Sequence, residues 1–249
     1  MSIFSAIKTI PDMIKRLFLL ALVIQLTACD PAALQQAMGS VLGSGELTTA
    51  EISSGLKQAL EIGITEGAQK LSQTDGYFKS PYKIFLPPEA RKVTDKLQNV
   101  PGFTNLENIV LEKINRGAED AAKKAAPIFK NAITKMTFAD ALDILMGDKN
   151  AATTYLHKAT FDQLYQEFNP VIVNSLDKFD ARDIWADAVN AYNKLPLGDK
   201  ADPDLDDYVT KQALAGLFNM VENKELDIRT NISSRTTDLL KKVFAKQDK

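Results

Sequence analysis

Two residue types that often carry enzyme chemistry occur only once each in this chain. Cys29 is the only cysteine and His157 the only histidine among 249 residues. A zinc or iron site built on several histidines or thiolates therefore cannot form. No Gly-x-Ser-x-Gly segment and no glycine-rich phosphate loop occurs in the chain. His157 could still belong to a Ser-His-Asp triad, but the favoured interpretation is that it is a solvent-exposed residue of a helix. We expect no enzyme, no cofactor and no metal.

Cys29 closes the run Leu26-Thr27-Ala28-Cys29, which has the order of a bacterial lipobox. Basic residues at positions 8, 15 and 16 precede an apolar stretch from Leu17 to Ile24, the order of a secretory signal peptide. That stretch is too short to span a bilayer, so the lipid would be the only anchor. The sequence predicts a lipoprotein signal peptide over 1–28, a lipidated tether over 29–47 beginning at a palmitate-bearing Cys29, and one domain over 48–249.

The predicted location is the bacterial cell envelope, lipid-anchored and facing the periplasm. Asp30, directly after the cysteine, resembles an inner-membrane retention signal of enteric bacteria, but the choice between inner and outer membrane stays open. Removal of residues 1–28 takes away three basic residues and one acidic residue, so the net charge changes from -2 to -4. We therefore expect no nucleic-acid partner. Because acylation would consume the lone cysteine, stability must come from a hydrophobic core.

Helix start signals are frequent, and strand alternation is nearly absent apart from a possible short extended piece over residues 82–86. Four segments place a threonine three residues before an acidic or amide side chain, and a fifth has Asp followed by Pro. They are Thr48/Glu51, Thr104/Glu107, Thr137/Asp140, Thr160/Gln163 and Asp202/Pro203. They predict helices starting near 49, 105, 138, 161 and 203. The fold class is all-α, a single irregular bundle of about seven to nine helices.

An alanine-rich helix, predicted from about Leu106 to Met136 and bent or split by Pro127, carries Asn115, Arg116 and Glu119. If these side chains are buried, their charges must be paired. Candidate partners from other segments are Asp140, Arg229 and Arg235. One interpretation is a polar pocket for an anionic ligand such as a lipid headgroup or sugar phosphate. The favoured one is a structural ion-pair network that fixes helix register.

A connecting segment over residues 75–88 carries four aromatic side chains, Tyr77, Phe78, Tyr82 and Phe85. Such a cluster can form a docking surface for a protein or a lipid. It can also fold back and fill the end of the bundle, which is the favoured interpretation. Further along, Asp202, Asp204, Asp206 and Asp207 have the spacing of a calcium loop, but the required glycine and glutamate are missing, so helix capping is favoured.

Several motifs, in order, resemble a family of uncharacterised bacterial envelope proteins over roughly residues 48–245. The main ones are Asn115-Arg116-Gly117-Ala118-Glu119, Met136-Thr137-Phe138-Ala139-Asp140-Ala141, Glu225-Leu226-Asp227-Ile228-Arg229, and the run from Arg235 to Phe244. The resemblance implies an exported, often lipidated, helical protein whose biochemical role is unassigned. It supplies no catalytic residues.

These observations lead to a functional expectation with two alternatives. The leading hypothesis is a non-catalytic binding or scaffolding module that contacts the membrane through its lipid and has an envelope protein or a lipid as partner. The first alternative is a carrier that encloses a lipid or other small amphiphile near Arg116. An enzyme of unrecognised type, using Glu119 and Asp140, is the least favoured.

Overall fold

The computed structural model describes residues 48–178, 180–196, 200–202 and 204–245. The signal peptide and tether predicted over 1–47, including Cys29, lie outside this part. The described residues form nine α-helices and a short 3-10 segment at Ile232–Ser234, with no strand. The helices are α1 (Thr49–Leu71), α2 (Pro88–Leu97), α3 (Leu106–Ala122), α4 (Ala125–Lys135), α5 (Phe138–Met146), α6 (Ala151–Lys178), α7 (Ala181–Asn193), α8 (Asp206–Thr230) and α9 (Asp238–Phe244). The all-α prediction is confirmed.

Capping boxes start α1 and α5 where the sequence predicts. Thr48 accepts from the Glu51 N–H and Thr137 from the Asp140 N–H, while each acidic side chain accepts from the threonine N–H. Each box satisfies backbone donors that the first turn leaves unpaired. The helix predicted from about 105 begins one residue later, at Leu106, without a side-chain cap.

Two predicted starts are wrong. Thr160 lies inside α6, which begins at Ala151, and its hydroxyl donates to the Leu156 carbonyl at 2.6 Å. The threonine therefore bonds within the preceding turn instead of capping a new helix. The start expected at 203 lies at Asp206, because Asp202 and Asp204 each accept from the N–H two residues on, forming turns before α8.

The alanine-rich helix is split, as Pro127 suggested. The α3 helix ends at Ala122, and α4 begins at Ala125 with Pro127 in its first turn, where a missing N–H leaves no intrahelical bond unmade. In contrast, α6 continues through Pro170, which lies on its exposed side.

The long α6 lies between α3 and α8, and α1 packs against α4, α5, α8 and α9. The apolar side of α1, with Ile52, Leu56 and Leu60, is buried. The C-terminal α9 docks on α1 where Gly55 leaves room for Val243. In the described residues, no helix is long and apolar enough to cross a membrane.

Candidate functional site

Asn115 holds the segment between α1 and α2 against α3. Its amide accepts from the Ile84 N–H at 2.8 Å and donates to the Ile84 carbonyl at 2.9 Å and to the Leu111 carbonyl at 2.7 Å. The side chain is fully buried and satisfies both backbone groups of Ile84. The extended piece expected over 82–86 is therefore paired with a side chain instead of a second strand.

Glu119 fixes the start of the same segment. Its carboxylate accepts from the N–H groups of Tyr77 and Phe78 at 3.1 and 3.2 Å. Arg116 donates to Glu119 and to Asp75, at 2.9 Å in each case. The bonds from Arg116 and Lys79 hold the pKa of Asp75 below its ordinary value. The charged side chains of Glu119, Arg116 and Asp75 therefore hold the backbone of this segment in position.

The aromatic side chains of this segment lie mainly on the bundle. Tyr77 is buried and donates its hydroxyl to the Ala213 carbonyl at 2.7 Å, and burial raises its pKa. Phe78 is half-buried, with the Arg116 guanidinium 5.2 Å from its ring centroid. Tyr82 is half-buried beside Met220. Phe85 is the exception, because 59% of its surface is exposed.

A second network joins α5, α6 and α8. Glu225 accepts from the N–H groups of Ala152 and Thr153, at 2.9 and 2.8 Å, in the first turn of α6. Arg229 pairs with Glu225 at 2.8 Å and donates to the Ile144 and Leu145 carbonyls in the last turn of α5. One buried ion pair thus supplies hydrogen-bond partners to backbone groups at two helix ends.

The six candidate pocket residues fall into three places. Asn115, Arg116 and Glu119 share the first network. Arg229 belongs to the second, and Arg235 lies beside it, donating to the Ile228 and Arg229 carbonyls at the end of α8. Asp140 caps α5. Within the described residues, the carboxylate partners of Arg116 are Asp75, Glu112 and Glu119, not Asp140.

An exposed apolar stripe on α5 is a surface that sequence reasoning did not single out. Phe138, Leu142 and Met146 are spaced four residues apart and are 60%, 42% and 65% exposed. The opposite side of α5, with Ala141, Ile144 and Leu145, is buried. The spacing is visible in the sequence. However, α5 is apolar on several sides, so the pattern does not tell which side faces the core.

A groove of about 420 Å³ lies along the other edge of α5, beside the start of α6. Three carboxylates line it, from Asp140, Asp143 and Asp148, together with backbone and side chains near Thr154 and Tyr155. At 100° per residue, Asp143 follows the apolar stripe around α5. The apolar stripe and this acidic groove are therefore neighbouring parts of one surface.

His157 is exposed and lines a second open groove, between α6 and α8. Its ring lies 4.9 Å from Phe161 and 4.5 Å from Phe218, measured between centroids. Lys158, Asn219 and Glu222 line the same groove, but no nucleophile is hydrogen-bonded to the imidazole in the described part of the chain. Among the residues described, no three His, Cys, Asp or Glu side chains are placed to hold a metal ion.

Comparison with known proteins identifies the family of this chain but gives no activity for it. No curated protein and no solved structure matches the chain. One family model, described as "Protein of unknown function", matches residues 46–245 and so spans all of the described helices. This chain belongs to the DUF4197 family.

Proposed function

We propose that this protein is a lipid-anchored, periplasm-facing binding or scaffolding module without catalytic activity, and that the apolar stripe of α5 binds an envelope protein. The lipobox ending at Cys29 and the preceding signal-like segment support the anchoring. Membership of a family of unassigned function is consistent with the proposal without specifying a partner.

The buried charges support a non-catalytic role because each has a structural task. Glu119 and Arg116 fix a connecting segment, and Glu225 and Arg229 join helix ends. A general acid or base must reach a reacting group. The oxygens of Glu119 and Glu225 are instead engaged by backbone N–H groups and arginines inside the protein.

The observation that carries the binding role is the exposure of three large apolar side chains along one side of a nine-residue helix. Single exposed apolar residues are ordinary, whereas a contiguous apolar patch often marks an interaction site. Burying Phe138, Leu142 and Met146 against a partner would remove this surface from water, and such burial is the main driving force of association.

The test is site-specific photo-crosslinking in living cells, with a benzophenone amino acid at position 142 and, as a control, at exposed Lys92 on α2. We expect a discrete crosslinked protein band from position 142 that is absent from position 92. A photo-reactive residue at position 146 should give the same band, and adding Leu142→Asp to that variant should abolish it while the circular dichroism spectrum stays unchanged. Equal crosslinking from positions 142 and 92, or none from position 142, contradicts the proposed surface.

The carrier alternative finds less support. It needs an apolar cavity near Arg116, and ligand pockets of that kind usually have volumes of about 300–1,000 Å³. Arg116 is instead paired with neighbouring carboxylates and lies against the Phe78 ring. Native mass spectrometry of the purified protein separates the two roles, since a carrier should retain a co-purifying small molecule.

A further inference from the structure

A small cavity in the core borders the only tryptophan of the chain. It lies where α3, α6 and α7 meet the start of α8, and most of its lining is aliphatic, as at Ile114 and Leu176. Three polar side chains also line it, those of Trp185, Arg182 and Asp206. Of these three, only Asp206 belongs to a pattern noted in the sequence, the calcium-loop spacing that lacks the required glycine and glutamate.

Trp185, which lines this cavity, carries a buried donor. Its residue surface is 2% exposed, and its indole Nε1–H has no acceptor among the described residues. Buried polar groups are almost always hydrogen-bonded, because an unpaired one loses its water without compensation. An acceptor is therefore needed at the indole nitrogen.

Asp206 supplies spare acceptor capacity on the same cavity. Its nearest basic atom is Arg182 Nε, 3.4 Å from Oδ2, a distance longer than that of a good charged hydrogen bond. Arg182 directs a second nitrogen to Asp177 at 3.1 Å. Burial raises the pKa of Asp206, with Arg182 opposing and Asp204 and Asp177 adding to the shift. The Asp206 carboxylate is thus largely removed from water, and no short charged hydrogen bond replaces the lost hydration.

The size of the cavity decides what can bind there. Its volume of about 10 Å³ is close to the minimum that one water needs, about 10–15 Å³, and far below that of an organic ligand. A water also requires at least two polar partners. Trp185 offers a donor and Asp206 an acceptor, which together match the two sides of a water molecule.

We propose that this cavity is a binding site for one ordered water, which accepts a hydrogen bond from Trp185 Nε1–H and donates one to the Asp206 carboxylate. The water links α7 to the first turn of α8, two helices that meet around this cavity. Arg182 lines both this cavity and an outer groove with Asp177, Asp183 and Asp204. Its side chain therefore lies between this cavity and the outer groove.

Because Trp185 is the only tryptophan, the full chain labelled with ¹⁵N and purified in detergent gives a single indole N–H cross-peak. We expect a cross-relaxation signal between this proton and water that has the sign of a long-lived bound molecule. Asp206→Ala should weaken that signal and shift the cross-peak. Asp187→Ala, a matched change at an exposed residue outside the cavity lining, should leave both unchanged.

Arg182→Ala provides an independent arm. Removing the side chain that separates cavity and groove should speed exchange of the indole proton with solvent at least several-fold. The proposal is overturned if the wild-type indole proton shows no contact with water. That result would mean that the indole N–H donates to another acceptor, such as a protein carbonyl. The proposal is also overturned if Asp187→Ala and Asp206→Ala act alike, or if native mass spectrometry detects a bound organic molecule whose removal shifts the Trp185 cross-peak. If Asp206→Ala does not fold, the wild-type water contact alone decides.

Discussion

At the scale of single residues, Glu225 and Arg229 act as a joint between helices more than as a reactive pair. Their side chains are 4% and 5% exposed, and their remaining hydrogen-bonding groups are satisfied by α5 and α6 backbone. A buried pair of this kind often stabilises the fold no more than a well-packed apolar pair would. However, removing only one member leaves an uncompensated buried charge, which is strongly destabilising.

We therefore expect Glu225→Ala to lower the free energy of unfolding by about 3–5 kcal/mol, measured by urea denaturation. Because Arg229→Ala removes the same interaction, the double variant should be destabilised by less than the sum of the two single effects. The control is Lys211→Ala, which breaks an exposed pair with Asp207 and should change stability by less than about 1 kcal/mol. An effect of Glu225→Ala as small as that of the control would contradict the role of this ion pair in joining the helices.

Glu51 is a residue whose ionisation should appear in the acid stability of the protein. The bonds from the Thr48 N–H, then from Lys242 and the Thr48 hydroxyl, lower its pKa from 4.5 to about 2. A depressed folded-state pKa means that the contribution is fully present above pH 4.5 and is lost as the pH falls towards 2. Glu51→Gln should therefore make the urea midpoint less dependent on pH within that window, with Lys242→Ala intermediate. Parallel pH profiles for Glu51→Gln and wild type would contradict this account.

At the scale of helices, close approach of α9 to α1 depends on Gly55. A Cβ placed there would lie 2.5 Å from Val243 Cγ2 and 3.3 Å from Leu239 Cγ. Val243 is β-branched and buried, so it cannot rotate away without displacing α9.

Gly55→Ala should consequently destabilise the protein by about 1–3 kcal/mol, the usual cost of overpacking, measured by urea denaturation. Gly63→Ala on the same helix is the matched control, because its Cβ would meet Lys224 Cβ at an ordinary 3.5 Å. That change should be neutral or stabilising by up to about 1 kcal/mol, since alanine favours the helix. Adding Val243→Ala should offset part of the Gly55→Ala effect, and strict additivity would contradict the proposed contact.

At the scale of the whole molecule, the described helices form one unit. Its buried charged side chains bond to groups inside the protein, while the apolar stripe of α5 faces solvent. In our proposal, a lipid at Cys29 would hold this unit near a membrane and confine its search for partners to the envelope. If fully extended, the predicted tether of 19 residues would reach at most about 60–70 Å.

The anchoring can be tested by Cys29→Ser. We expect the wild-type protein to sediment with membranes and to incorporate an alkyne-labelled palmitate. The variant should incorporate none, and it should keep residues 1–28, because lipoprotein signal cleavage requires the lipidated cysteine. Sucrose-gradient fractionation of the wild type then distinguishes inner from outer membrane. Recovery of unlabelled wild-type protein from the cytosol would remove the lipoprotein part of the proposed function.

The sequence by itself determined the all-α class and the starts of α1 and α5, since a capping box needs only residues three apart. The same reasoning failed at Thr160, because a hydroxyl that bonds back to the preceding turn has the same local pattern as a cap. It also placed α8 three residues early, where two aspartates form turns first.

Only the tertiary structure decided which charged side chains meet. Glu225 caps a helix that starts more than 70 residues earlier in the chain, and Asn115 pairs with Ile84 across a loop and a helix. Such contacts have no local signature, because they depend on how helices cross. Likewise, the spacing of Phe138, Leu142 and Met146 predicts a helical stripe, but packing on α1 and α6 exposed it by burying the opposite side of α5.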